Sequence, residues 1–248
     1  MSKAEILSYG GGVQSVATVL LIADGVLPKP DMVVFADTGR EVSTTLEYAE
    51  RYTFPLLQRL GVPVHVVKAS QFGQDMLWWG DSILIPAFER TGTGTRQLRN
   101  LCSYKWKRRT IQHFLRSRGV RSCRVWLCIS VDEWTRAKDS REQWYQHWYP
   151  LLEMRISRKQ CIRFIQAHGW PIPAKSRCWC CPYQSKSEWL SLQGTPDWDK
   201  AVKMEKQIRQ HGYYLTSACS PLEDQTAESL QLELPVTEGV CDGGTCFL

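Results

Sequence analysis

The chain has 248 residues, a net charge of +6 and ten cysteines. Its length suffices for one large domain, or a domain with an appendage, to bury a full core. No apolar run approaches the roughly 20 residues a membrane helix needs, and Met1-Ser-Lys-Ala-Glu leads straight into a strand-like run, so a cytoplasmic protein without a membrane partner is expected.

The first seventy residues alternate between strand and helix patterns. Strand Glu5–Ser8 leads to helix Gln14–Ile22 and strand Met32–Ala36. A helix opens at Thr44, whose spacing to Glu47 fits a capping box, and Pro55 is expected to break or kink it. Strand Val64–Lys68 follows, giving a βαβαβ order with parallel strands and helices on both faces. Ser70 to Trp79 reads as a short helix, and Gly80 to Asn100, with Thr91-Gly-Thr-Gly-Thr95, as a mobile loop of the kind that closes over substrate. Helix Tyr104–Ser117 and strand Val125–Ser130 come next, then Tyr149–Glu153 as a fifth strand and Arg158–His168 as a helix. After Gly169 the texture changes to prolines, a cysteine cluster, helices Ser187–Gln193 and Asp197–His211, and a polar tail. The expected architecture is a doubly wound α/β parallel sheet in residues 1–155 and a cysteine-rich, mostly helical extension with an acidic tail in 156–248.

Chemistry concentrates first at Ile6-Leu-Ser-Tyr-Gly-Gly-Gly-Val-Gln-Ser15 and Val33-Val-Phe-Ala-Asp-Thr-Gly39. Glycines let the backbone turn sharply and present N–H groups to an anion, and a helix N-terminus adds partial positive charge. The loop matches neither the Walker pattern nor Gly-x-Gly-x-x-Gly. It resembles the pyrophosphate (PP) loop of the ATP pyrophosphatase, or adenine nucleotide alpha hydrolase, superfamily. The position before the final serine, acidic in many members, is Gln14 here, a departure typical of the phosphoadenosine phosphosulfate (PAPS) reductase-like branch. In that reading Ser8, Gly10, Gly11, Gly12, Gln14 and Ser15 cradle phosphate, and Asp37 with Gly39 lies near the adenosine of ATP or PAPS.

Ten cysteines are many for a reducing compartment, which favours metal or redox chemistry for some of them. Cys178 and Cys181 form a Cys-x-x-Cys pair, a spacing shared by zinc sites, redox pairs and iron–sulfur ligands. Cys102 and Cys161 are candidates for the further ligands. The set Arg99-Asn-Leu-Cys102-Ser-Tyr-Lys105, Ile129-Ser-Val-Asp132-Glu133-Trp-Thr-Arg136, Tyr149-Pro-Leu151 with Arg158-Lys-Gln-Cys161, and Pro171-Ile-Pro-Ala-Lys-Ser176-Arg-Cys178-Trp-Cys-Cys181-Pro182 is similar to a bacterial and phage subfamily of PAPS reductase-like proteins. By that resemblance Cys102, Cys161, Cys178 and Cys181 bind a [4Fe–4S] cluster, with zinc as the alternative. Cys123 and Cys128 read as core residues. Cys241 and Cys246 in the tail are either incidental or a redox pair.

Ten cations and no acid lie between Arg96 and Arg124, whereas nothing after Arg209 is Lys or Arg. An ordinary basic surface and a polyanion site, for nucleotide phosphates, DNA or RNA, are both open; the acidic tail could fold against this segment. Lys105 and Arg109, with Arg136, are the expected catalytic cations, and Asp132 and Glu133 either hold Mg²⁺ or serve structure. Trp134, Trp144 and Trp148 read as packing groups before base-stacking ones. Together these features imply an ATP-using sulfur transfer, with a cysteine desulfurase or other sulfur donor and a nucleic-acid acceptor. A reductase releasing sulfite from PAPS through a thiol is the alternative, and a non-catalytic nucleotide-binding partner a third reading.

Overall fold

The computed structural model describes residues 3–225. Its first strand, β1 (Ala4–Ser8), sends Leu7 to one face of a sheet and Ile6 to the other, and both are fully buried. Such two-sided burial is what parallel strands covered by helices require. The chain continues through α1 (Val13–Ala23), β2 (Met32–Asp37), α2 (Ser43–Tyr48), α3 (Phe54–Arg59) and β3 (Val64–Lys68). Next come short strands β4 (Trp78–Trp79), β5 (Ser82–Ile83), β6 (Phe88–Thr91) and β7 (Gly94–Gln97), then α4 (Arg109–Ser117), β8 (Cys123–Leu127) and β9 (Tyr145–Trp148). The last elements are α5 (Pro150–Glu153), α6 (Arg158–Ala167), α7 (Lys186–Leu192), α8 (Pro196–Arg209) and β10 (Tyr213–Tyr214).

The central sheet has five parallel strands in the order β3-β2-β1-β8-β9. One face (Leu7, Val33, Phe35, Trp126) packs against α1, α3 and α6; the other (Ile6, Val34, Ala36, Val125, Leu127) packs against Ile111 and Leu115 of α4. This is the expected α/β doubly wound architecture. The strand order reverses at β1, so the crevice between the carboxyl ends of β1 and β8 is the topological switch point, where such sheets bind ligands. A third core joins Ile83–Ile85, Trp106 and Trp179 to α7, α8 and Leu215. It draws on chain from both sides of residue 155, while α6 packs on α1.

Several local expectations change. Pro55 does not stop the helix: a π-helical turn, Ala49–Thr53, precedes it and runs into α3 with helical dihedrals throughout, so the irregular hydrogen bonding of the π turn coincides with the proline's missing N–H. The segment after β3 forms only a 3₁₀ turn, Ala69–Phe72, not a helix to Trp79. Gly80–Asn100 is built structure, with β4 paired to β5 and a β6–β7 hairpin extended by β10; Leu84, Ile85 and Ala87 are buried in its course. The fifth strand is Tyr145–Trp148, because Pro150 starts a helical turn where Tyr149–Glu153 read as strand. Glu223, the first acid of the tail, pairs with Lys206 and Arg209 of α8 and not with the basic segment; Glu228, Glu233, Glu238, Asp242, Cys241 and Cys246 lie outside the described residues.

The Thr44–Glu47 capping box does not form. The helix starts at Ser43 without a cap from its own side chains, and the buried Asp197 of α8 takes that role, accepting from Ser43 N at 2.8 Å and Ser43 Oγ at 3.1 Å. Burial alone would raise the Asp197 pKa, but the Ser43 bonds and Lys200, at 3.0 Å, outweigh it and hold the carboxyl below its ordinary value. A depressed folded pKa stabilises above the unfolded carboxyl range, near 3.9, and that contribution fades as pH falls through the folded value. Asp197→Ala should therefore cost about 1 kcal/mol at pH 6, typical of a lost helix cap. The difference from wild type should shrink below about pH 4 in urea denaturation; an undiminished difference there would show that the charge is irrelevant.

Candidate functional site

At the switch point lies a cavity of about 240 Å³. The loop between β1 and α1 forms one wall with Ser8, Gly12, Gln14 and Ser15. Ser15 Oγ accepts the Gly10 N–H at 3.1 Å, tightening the glycine turn. No side chain caps α1 and no acid occupies its first turn, so its amino-terminal N–H dipoles remain available to an anion. The opposite wall comes from Leu127–Ile129, Glu133 and Arg136 after β8, and from Arg158 at the start of α6. The π-helical turn Ser103–Arg108 contributes Ser103, Trp106 and Lys107. The roof is the stretch 175–183, whose Ser176 hydroxyl donates to the Gly10 carbonyl.

Five cations, Lys107, Arg136, Arg158, Lys175 and Arg177, line this cavity against one carboxylate, Glu133. Glu133 is buried; it takes an ion pair from Arg136 and a hydrogen bond from Gln14 Nε2 at 3.2 Å. The Gln14 carbonyl in turn accepts from Arg158 Nη1 at 3.1 Å. The amide thus bridges a carboxylate and a guanidinium, which an acid at position 14 could not do without facing Glu133. Asp132 accepts the Arg158 backbone N–H at the start of α6, whose own Ser157–Gln160 capping box is complete. Its role is structural, and Glu133 is the one acid of the expected pair that lines the cavity.

The expected site residues divide. Ser8, Gly12, Gln14, Ser15 and Arg136 line the cavity, as do Cys102, Cys178 and Cys181. Gly10 holds the turn. Gly11 does not reach the cavity: at φ 75°, its position packs against Thr45 of α2, and an added Cβ would fall far inside contact distance of Thr45 Cγ2. Glycine is favoured there both by the left-handed backbone and by the packing against Thr45. Asp37 and Gly39 line a neighbouring groove instead. Lys105 and Arg109 are not at the cavity. The Lys105 ammonium sits 3.0 Å from the Trp79 ring centroid, its pKa lowered by burial and by Arg109, while Arg109 contacts His113. The wider π turn rotates Lys107, not Lys105, towards the crevice.

Cys161 also departs from its expected place. It is fully buried in the α1–α6 core and does not line the cavity, and burial, followed by the neighbouring Cys128, pushes its thiol up to about 12. Cys102, Cys178 and Cys181 share the cavity with Cys180 and with Cys128, which was expected in the core. Burial first, then the adjacent Glu41, raises the Cys178 thiol well above its ordinary value; Lys107, 2.9 Å from Glu41, opposes this. As placed, no three cysteine, histidine or acidic groups among the described residues converge on one point for a metal ion. In donor chemistry, three thiols beside a cationic turn fit a thiolate-ligated iron–sulfur group, whose negative charge the lysine would offset. Cys161 is not among the cavity's lining residues, although its neighbours Cys128 and Arg158 are.

The basic stretch is substantially neutralised. Arg96 pairs with Glu89, Lys107 with Glu41, Arg108 with Glu142 and Arg124 with Glu5. Arg116 lies over Trp144 at 3.6 Å, and Trp148 packs edge-on against the buried Trp126, so both tryptophans are packing groups; Trp134 is exposed. The cations that reasoning from sequence missed, Lys107, Arg158, Lys175 and Arg177, are scattered over three segments. Their one local signal was the Lys175-Ser-Arg177 run leading into the cysteine pair.

No protein-family model matches the chain, and no curated protein matches it at a significant level. Solved structures similar to it include a phosphoadenylyl-sulfate (PAPS) reductase from Candida auris in a phosphate complex, with a TM-score of 0.45 and 12% identity over 69% of this chain and 76% of that one. Another is the U34-tRNA thiolase NcsA from Methanococcus maripaludis with its [4Fe-4S] cluster, with a TM-score of 0.48 and 11% identity over 85% of this chain and 66% of that one. Among the described residues no helix is long and apolar enough to cross a membrane.

The Gly11–Thr45 contact yields a separable prediction. Gly11→Ala should lose stability twice over, about 1 kcal/mol from the left-handed backbone and more from the clash. Adding Thr45→Ser removes the offending methyl and should recover the second part only. Equal stability of Gly11→Ala and wild type in chemical denaturation would refute this packing account.

Proposed function

We propose that the chain is an ATP pyrophosphatase-type enzyme that activates an acceptor for sulfur transfer, with an iron–sulfur group held at Cys102, Cys178 and Cys181 and a nucleic acid as acceptor. The observation that carries this reading is the shared cavity: the uncapped start of α1, five cations and five cysteines, Cys102, Cys178 and Cys181 among them, meet at the switch point of the sheet. A triphosphate needs the first two, and sulfur chemistry on the activated product needs the third at the same place.

In this reading the α1 amino terminus and Gly12 receive phosphate oxygens, while Arg136 and Arg158 face the α-phosphate from the β8 side. An acceptor oxygen attacks the α-phosphorus; the bond to pyrophosphate breaks, and pyrophosphate leaves with its electron pair. Lys175 and Arg177 lie on the roof, where they offset the charge of the departing group. A sulfur nucleophile at the hydrosulfide oxidation level, from a desulfurase-type or other donor, then forms the carbon–sulfur bond as AMP departs, so the sequence is redox-neutral. Gln14 and Arg136 hold Glu133 in place, and Glu133 is the carboxylate available to a nucleotide-borne Mg²⁺. When bound, the iron–sulfur group supplies thiolate-ligated redox and sulfur-binding chemistry beside the nucleotide.

Anaerobically purified protein should be brown and should release pyrophosphate from ATP once its acceptor is supplied. Cys102→Ser, Cys178→Ser and Cys181→Ser should each lose the visible absorbance and most of the iron. Cys161→Ala should keep both, because its thiol faces the α1–α6 core. Stoichiometric zinc in a colourless protein, or sulfite released from PAPS without pyrophosphate from ATP, would overturn the reading. Bleaching by Cys161→Ala in a folded protein would restore the four-cysteine site.

A further inference from the structure

A second concavity, of about 430 Å³, opens on the other side of the cysteine segment. Residues 40–42 and 177–179 pair antiparallel, with Trp179 N donating to Arg40 O at 2.8 Å and Val42 N to Arg177 O at 2.9 Å around the Glu41–Cys178 bridge. The chain then turns, with Cys181 N donating to Cys178 O at 3.0 Å, and across this turn Cys178 and Cys180 line the switch-point cavity, while Trp179 between them lines the second groove. One thickness of backbone separates the two.

The groove carries Arg40, Lys68, Lys200 and Lys203 against Asp37 and Asp75. Arg40 is partly engaged, donating to Asp75 O at 2.8 Å and lying 4.3 Å over Trp106, and Lys200 pairs with Asp197. Lys68 and Lys203 are exposed, and their side chains make no hydrogen bond or ion pair to a described residue. Lys200, Lys203 and Gln207 follow one face of α8 over about 10 Å by helical rise. Lys68 adds a cation at the carboxyl end of β3, and Leu77, Trp179 and Met204 contribute apolar surface. Cations supplied by three separate segments, at Arg40, Lys68 and the Lys200–Lys203 turn of α8, with apolar ground beside them, match a strand of phosphates and bases better than one phosphate group.

Topology separates this groove from the basic stretch that stands out in the sequence. Arg116, Arg118 and Arg121 lie between the carboxyl end of α4 and the start of β8, at the amino edge of the parallel sheet. Asp37, Lys68 and both concavities lie at the carboxyl edge. An acceptor bound at the amino edge could not reach the nucleotide cavity without crossing the sheet.

We infer that the groove formed by Arg40, Lys68, Lys200 and Lys203 binds the backbone of a single-stranded nucleic acid beside the cysteine-lined cavity. This deepens the sulfur-transfer reading by naming the acceptor's surface, and it rests on that reading only for the acceptor's purpose.

The test uses the full-length protein and fluorescent single-stranded RNA and DNA oligonucleotides titrated across a salt series. Lys68→Ala with Lys203→Ala should weaken binding about tenfold at low salt and flatten the log–log salt slope by about 1.4, two single-strand contacts' worth. Lys68→Arg with Lys203→Arg should restore both. Replacing Arg116, Arg118 and Arg121 by alanine should change affinity and slope little. ATP binding, measured by calorimetry in parallel, should be unaffected in every variant. Unchanged oligonucleotide affinity in the Lys68/Lys203 double variant, loss confined to the Arg116/Arg118/Arg121 variant, or no salt-dependent binding by wild type would each overturn the inference. With ATP binding intact, those outcomes leave the nucleotide reading standing; absent ATP binding in the wild type fails that reading separately.

Discussion

The pairing of residues 40–42 with 177–179 is the constraint on which the functional architecture depends. It joins the segment after β2 to a segment more than a hundred residues later in the chain, and the two backbone bonds flank Cys178. Without that pairing the cysteine stretch has no fixed relation to the glycine loop. With it, Ser176 reaches the Gly10 carbonyl, Trp179 enters the third core, and Cys178 faces the crevice. The buried Glu41 carboxylate beside it is balanced by Lys107, so the closure also determines which residue of the basic π turn is drawn inwards.

Electrostatics then divides the surface into working and non-working charge. At the cavity the cations are held by side chains that fix their direction: Arg158 by the Gln14 amide, Arg136 by Glu133, Arg177 by Gln184 at 2.8 Å. Elsewhere they cover aromatic rings or meet acids, as Arg116 over Trp144 and Arg124 against Glu5. A count of charges along the chain cannot tell these uses apart. The densest basic run is therefore not the most available basic surface.

The same distinction explains what could be read from the sequence. The βαβαβ beginning was legible because each of its apolar runs has a local boundary: the glycines before Val13, and Asp-Thr-Gly after Ala36. Local signals failed where a distant partner decides. Thr44 looked like part of a capping box, but Asp197 from α8 caps the helix at Ser43. Gly80–Asn100 looked unstructured, yet its hairpin is completed by β10, more than a hundred residues on. Cys161 had suitable chemistry and spacing, but α6 turns it into the α1 interface. Lys105 and Lys107 differ only by position on a π turn, a feature with no clear mark in composition. The candidate site was thus legible in its loop, its Cys-x-x-Cys pair and Arg136, and illegible in the other four cations that complete it.

Gln14 ties these levels together. An acid at this position would place negative charge within the first turn of α1, where it would compete with phosphate for the helix's positive end. Here the carboxylate is supplied by Glu133 from the turn after β8, on the far wall of the crevice. The first turn of α1 is left without an acid, and the amide at position 14 connects Glu133 to Arg158 across it. The site's negative charge therefore sits on the far wall, and the amino-terminal end of α1 is unopposed by any acid in its first turn.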